Sequence, residues 1–369
     1  MVGLFWLGSA GPSLAGDFLR QPAFRFARPA RAALMDVTRA GSRLVAVGER
    51  GLIVYSDDGG RTWTQASVPV RTTLTAVCFP EPQTGWAVGH ESVVLRTRDR
   101  GVTWTKVLDG RQINEEMVRA MQALVEGIRR RMDTAPEEEK AGLQPLLEDA
   151  EVNLKGFEET RREGPIQPLL DVAFSSPREG LLVGAFGIIM GTADGGESWT
   201  PLLDRISNPM GYHFYGLART RDRAFLFGEA GGAHRSADGG RHWEAVETPY
   251  HGSFFSALAD PAGTMVAGFG LRGNLVLSYD DGATWRHQRL GQGAALTGGA
   301  VLSGQRFVLV GMAGEIYLGS TLRPGLKPVK TGFPACMAVA EAPDGGLVLV
   351  GLKGVYRLEP GSTRNEEMN

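Results

Sequence analysis

One phrase is written five times in this chain. It stands as Ser56-x-Asp58-x-Gly60-x-Thr62-Trp63, Thr97-x-Asp99-x-Gly101-x-Thr103-Trp104, Thr192-x-Asp194-x-Gly196-x-Ser198-Trp199, Ser236-x-Asp238-x-Gly240-x-His242-Trp243 and Ser278-x-Asp280-x-Gly282-x-Thr284-Trp285. Successive tryptophans lie 41, 95, 44 and 42 residues apart. Each copy follows an apolar run suited to a strand, such as Leu52-Ile53-Val54-Tyr55 or Leu275-Val276-Leu277, and precedes a short polar strand. The phrase is the Asp-box, a β-hairpin turn. Its Asp can accept hydrogen bonds from the turn's own amides, its Gly supplies a positive-φ position, and its Trp can fall back on a neighbouring repeat. That role is architectural, so Asp58, Asp99, Asp194, Asp238 and Asp280 and their tryptophans are read as structural.

A second phrase, an apolar strand ending in Gly, precedes each box: Leu44 to Gly48, Trp86 to Gly89, Leu181 to Gly184, Phe225 to Gly228 and Met265 to Gly268. It recurs without a box at Phe307 to Gly311 and Leu347 to Gly351, which brings the total to seven. With another strand before each phrase, four strands per repeat and a period in the low forties predict an all-β, seven-bladed propeller over residues 20–361. The last repeat ends one strand short, after Val355-Tyr356-Arg357-Leu358. The segment 23–28 belongs to no repeat and is expected to close the ring as the outer strand of the last blade, since closure removes exposed edges.

The long gap between the second and third boxes holds an insertion at about 112–164, where alternation gives way to helical spacing. Ile113, Met117, Met121, Leu124, Ile128 and Met132 form one stripe, and Leu143, Leu146, Leu147, Ala150, Leu154 and Phe157 a second. A helical hairpin is expected between blades two and three. Thr134 and Glu137 read as a capping box for its second helix, and Pro145 as the point where that helix would break.

A propeller and one arm account for nearly all 369 residues, and a net charge of −2 excludes a nucleic-acid footprint or a polybasic membrane patch. The opening apolar, Gly-rich stretch and Ser13-Leu14-Ala15 read as a signal peptide or disordered start over 1–19, too short to span a bilayer. An exported, periplasmic location is therefore expected. Residues 362–369 are expected to be a disordered tail. Cys78 and Cys336 fall in inner strands of blades two and seven, too far apart to pair, and are expected as buried free thiols. The six histidines show no metal-ligand spacing, and no nucleophile elbow, P-loop or dinucleotide fingerprint is present, so neither metal nor cofactor is expected.

In four-stranded blades, the loops joining strand four to the next blade, and strand two to strand three, share one face, and the Asp-boxes share the other. The insertion follows a fourth strand and stands on the first face. So do Tyr212, Tyr215, Tyr250, Phe254, Phe255 and Arg272, which are the candidate partner-binding residues, because aromatic side chains and Arg anchor protein interfaces. Phe214, Phe254 and Phe255 begin inner strands, which equally suits core packing. The enzyme alternative is a sialidase-like glycoside hydrolase, since those propellers also carry Asp-boxes. Its Arg-bearing N-terminal phrase has only Phe26-Ala27-Arg28-Pro29 as a counterpart.

Together with phrases such as Val183-Gly184-Ala185-Phe186-Gly187, Gly228-Glu229-Ala230-Gly231 and Gly268-Phe269-Gly270-Leu271-Arg272-Gly273, the repeats resemble the Ycf48/Hcf136-like family over about residues 32–360. The resemblance implies a non-enzymatic factor that binds an assembling membrane protein, lumenal and serving photosystem II in photosynthetic members. The long insertion and Pro249-Tyr250-x-Gly252-Ser253-Phe254-Phe255 look like a bacterial subgroup of exported proteins associated with transporters of the resistance-nodulation-division superfamily. The combined expectation is an exported scaffold, monomeric by itself, that binds a membrane protein or its periplasmic part. A photosystem II assembly role is the alternative.

Overall fold

The computed structural model describes residues 17–221, 223–329 and 331–362. The signal-peptide reading of 1–19 lies outside these residues except for Asp17, Phe18 and Leu19, and the tail lies outside them except for Ser362. Seven antiparallel sheets follow one another along the chain, six with four strands and the last with three, every strand paired with its sequence neighbour. The first strands are Leu34–Ala40, Leu74–Cys78, Leu169–Phe174, Phe214–Arg219, Phe254–Ala259, Leu296–Leu302 and Ala338–Glu341. Each packs against the first strands of both neighbouring blades, and the seventh meets the first, so the ring is closed around a central channel.

The repeated phrases explain this arrangement. In the first box the Ser56 hydroxyl donates to Asp58 Oδ1 at 2.8 Å and accepts the Gly60 amide at 2.9 Å. Asp58 also accepts the amides of Arg61 and Thr62 and the Thr62 hydroxyl. In the fourth box His242 replaces that hydroxyl with Nδ1, 2.7 Å from Asp238. The Ser198 hydroxyl and then its amide hold the Asp194 carboxyl down at about 2. Box glycines have a second task beyond positive φ. A Cβ on Gly60 would lie 2.6 Å from Val348 of blade seven, and one on Gly240 2.6 Å from Leu181 of blade three. Each box thus presses on the preceding blade, and its Trp joins that interface: Trp63 with Val348, Trp104 with Val45, Trp243 with Leu181. Buried apolar clusters fill all seven junctions between blades.

Expectations for the N-terminal segment, the arm and the cysteines are corrected. Segment 23–28 forms no strand and the last blade keeps three. The segment is a strap, tied to blade one by the Ala23 amide to the Val68 carbonyl and the Phe24 amide to the Arg50 carbonyl. The Gln65 side chain satisfies the Phe26 amide and the Phe24 carbonyl, taking the place of a strand partner. Phe26 enters the cluster between blades one and seven.

In the arm, α1 runs over Gly110–Thr134 and α2 over Glu137–Glu163. Neither a break at Pro145 nor a capping box at Thr134 is present. The α2 helix continues through Pro145, held by the packing of Leu147, Leu154 and Phe157, and the Thr134 hydroxyl donates to the Arg131 carbonyl. The capping box belongs to α1, where Asp109 and Gln112 satisfy each other's backbone amides.

Both cysteines are free, Cys336 buried but ahead of the last inner strand, and Cys78 only half-buried. Burial pushes both thiols up, Cys336 to about 11.

Candidate binding face

The Gly that ends each second strand is required by close approach, since its backbone is extended. A Cβ on Gly48 would lie 2.1 Å from the Ala33 carbonyl, one on Gly89 2.2 Å from that of Thr73, and one on Gly351 2.2 Å from that of Ala335. The start of the inner strand therefore sits directly against this turn. In five blades the second residue after the Gly takes a left-handed backbone: Arg50, Glu91, Phe186, Ala230 and Arg272, with φ between 52° and 55°. That conformation suits few bulky residues. Phe186 holds it with a side chain 53% exposed.

On the same face each of the first six inner strands opens with a bulge at its second residue. The bulged positions and Met337 of blade seven turn toward the channel. Met35, Thr75, Leu170, Tyr215, Phe255, Thr297 and Met337 line a cavity of about 220 Å³ at its mouth, and no Arg is among its lining residues. This does not match the Arg cluster that a sialidase-like site requires.

Two carboxylates also border this cavity. Asp36 accepts its own strand's Val37 amide and, at 2.8 Å, the Val77 amide of blade two. Asp171 does the same with Val172 and, at 2.7 Å, Leu217 of blade four. Each carboxylate clasps two inner strands together. Burial raises Asp36 to about 6 and Asp171 to about 7, against the pull of those amides.

Of the partner-binding residues expected from sequence, Phe254 is fully buried between blades four and five and is unavailable to a partner. Tyr250 is half-buried, its hydroxyl bonded to the Leu271 carbonyl and its ring stacked on His287 at 5.4 Å, so it fastens two loops. Arg272 and Tyr212 are exposed. Tyr215 and Phe255 meet edge-on at 5.8 Å at the channel mouth. They continue through His213 to Phe186, with ring centroids 5.9 and 4.7 Å apart.

That strip ends at a feature the sequence did not expose. Between the arm and blade three lies a groove of about 750 Å³, roofed by α1 and α2 and floored by Thr200, Pro201 and the loop that follows. The arm stands firmly. Ile113, Met117, Val118, Met121 and Val125 of α1 enter the core between blades two and three, and Asn153 of α2 donates to the Pro209 carbonyl. The stripe on Met121, Leu124 and Ile128 was visible in the sequence. That it borders an open groove depends on Phe186 and the 203–209 loop, 58 or more residues away.

A family model described as Photosynthesis system II assembly factor YCF48 matches residues 28–124 and 163–253, just over half of the chain. The chain belongs to the Ycf48 family. Its members are assembly factors rather than enzymes. The two matched stretches flank the greater part of the α1–α2 arm.

The photosystem II assembly lipoprotein Ycf48 of Synechococcus sp. (strain CC9902) is 32% identical over 124 residues, covering 33% of this chain and 36% of that protein. The chloroplastic photosystem II stability/assembly factor HCF136 of Arabidopsis thaliana is 26% identical over 210 residues, 53% of this chain and 46% of that one. The chain thus aligns with less than half the length of these curated Ycf48 relatives. Among solved structures, Ycf48 bound to a D1 peptide superposes with a TM-score of 0.60 at 16% identity, covering 92% of this chain and 99% of that one. The WD40 propeller of Doa1 reaches 0.59 at 9% identity, covering 92% and 95%. At such identities the likeness to the solved structures is one of fold.

Proposed function

We propose that this chain is a non-enzymatic scaffold that holds a segment of a membrane protein while that protein is assembled. Membership of a family of assembly factors carries the reading, supported by a solved relative of the same fold described as bound to a D1 peptide. The geometry is compatible with that work. A ring with every blade junction packed presents an open face with a groove, an aromatic strip and exposed Phe186, Tyr212, Leu271 and Met312. No helix among the described residues is long and apolar enough to cross a membrane. An exported or lumenal site of action fits the lipoprotein and chloroplastic relatives. Those relatives favour photosystem-type assembly over the transporter-linked reading, since none of the proteins named above is tied to a transporter.

The test is crosslinking followed by purification from the native membrane fraction, comparing the intact chain with Tyr212→Ser and Arg272→Glu combined. Recovery of one membrane protein with the intact chain, weakened by the double variant, is the expected result. Absence of any specific membrane protein with the intact chain rejects the scaffold reading.

A further inference from the structure

The groove beneath the arm has a definite chemistry. Its apolar wall includes Met121, Leu124 and Ile128 of α1, Leu146 of α2 and Phe186 of blade three. Leu146 and Phe186 are each 53% exposed, unusual for large apolar side chains that already border a cavity. Phe186 also sets an exposed aromatic ring at the turn position that four other blades fill with Arg50, Glu91, Ala230 and Arg272.

The charges lining the groove are Arg131, Asp149, Asp204 and Arg205. Arg131 is neutralised by Glu139, with Nε 2.7 Å from its carboxylate, and Arg205 lies 3.6 Å from Asp204. Asp149 makes no ion pair among the described residues. One uncompensated negative charge therefore stands three residues beyond the exposed Leu146, on the same side of α2. Acidic residues also outnumber basic ones in the arm. An occupant that satisfies this wall must offer apolar side chains with a cation beside them.

We propose that the groove between the α1–α2 arm and blade three receives an apolar polypeptide segment carrying a Lys or Arg next to its apolar residues, with that cation placed against Asp149. This rests on the scaffold reading and names the chemistry of the segment held. The mode is a segment laid in a groove between helices, its apolar side chains spaced to meet Leu146, Leu124 and Phe186. The Phe186–His213–Tyr215–Phe255 strip continues the same surface toward the channel mouth.

The probes are three fluorescein-labelled synthetic peptides with one shared Leu/Ala core, flanked by Lys, by Ser or by Glu, and titrated against the purified full chain by anisotropy. The Lys-flanked peptide is expected to bind at least tenfold tighter than the Glu-flanked one. Asp149→Lys should reverse that order, and Leu146→Glu should weaken the Lys-flanked peptide at least tenfold. Arg286→Glu, on the exposed outer strand of blade five and away from the groove, should leave its affinity unchanged. Leu146 is exposed and Asp149 half-buried, and Phe186→Ser, expected to weaken the Lys-flanked peptide as well, tests the opposite wall independently. Circular dichroism melts verify that each variant is folded.

Equal affinity for the three peptides, no measurable binding, or binding indifferent to Asp149→Lys and Leu146→Glu overturns the proposal. A client recovered from membranes without peptide selectivity rejects the groove alone. Selectivity with no client from membranes rejects the assembly role and leaves the groove standing.

Discussion

Glycines divide this chain's residues into those it can exchange and those it cannot. Gly89 is extended, so its backbone would accept any residue, yet its missing Cβ leaves room for the Thr73 carbonyl 2.2 Å away. Gly89→Ala is therefore expected to cost about 1–3 kcal/mol through overpacking against backbone that cannot give way. Gly332→Ala, with nothing within 4 Å and no positive φ, should stay within about 0.5 kcal/mol of the parent. Urea unfolding of both variants checks this, and equal midpoints would dismiss the close-approach explanation. Asp171 offers a different residue-scale test. Its folded value of about 7 lies above the ordinary 3.8, so the folded state holds a proton that the unfolded state gives up. Its contribution is complete at low pH and is lost as pH rises through about 7. His90 and His234, lowered by burial, act with the opposite sign, destabilising as pH falls below their ordinary 6.5. Between pH 6.5 and 8 the share of Asp171 alone is a loss of about 0.5–1 kcal/mol, and the two histidines offset much of it. Measured against Asp171→Asn, in which the histidine terms are unchanged, wild type should therefore lose melting temperature between pH 6.5 and pH 8. An unchanged slope in the variant would assign the pH dependence elsewhere.

Elements were legible from sequence in proportion to how local their causes are. The Asp-box carries its own hydrogen bonds within seven or eight residues, so five hairpins could be read from the phrase itself, and the seven blades from the equally local apolar strand that ends in Gly. The strap at 23–28 could not, because alternating Phe24, Phe26 and Arg residues write a strand pattern while Gln65, 39 residues from Phe26, supplies the partner instead. Likewise the helix stripes were visible, whereas the groove they border requires blade three to be in place. The α2 helix runs through Pro145 at the price of one backbone hydrogen bond, since Pro has no N–H to offer the Ala141 carbonyl. An interior Pro costs a helix about 3 kcal/mol, and Pro145 is exposed, so no core contact is lost on replacing it. Pro145→Ala should stabilise the arm by about 1–3 kcal/mol and slow amide exchange in the first half of α2. Unchanged exchange there would mean that α2 opens only together with the propeller core.

At the scale of the whole molecule, the arm belongs to the ring's structure as well as to its face. Gly110 and Pro165 meet at its base, where a Cβ on Gly110 would approach the Pro165 Cβ to 2.7 Å, so the two ends could be joined by a short linker without stretching blades two and three apart. Chain connectivity thus permits removal of the arm. Packing opposes it, because Ile113, Met117, Val118, Met121 and Val125 share one core with Trp86, Leu169, Leu182 and Ile188. Stripping five buried apolar side chains at about 1.5–3 kcal/mol each would expose their partners on two blades, a loss comparable with the whole stability of an ordinary domain. A chain with residues 112–163 replaced by a short Gly/Ser linker should therefore melt at least about 10 °C lower than the parent, or aggregate, even though the other six blade junctions are intact. Point changes at Leu146 and Asp149 should leave the melt unaltered, which separates the arm's structural face from its open one. A deletion variant that melts with the parent would show that the propeller carries its stability without α1, and that the arm is an appendage held only by its ends.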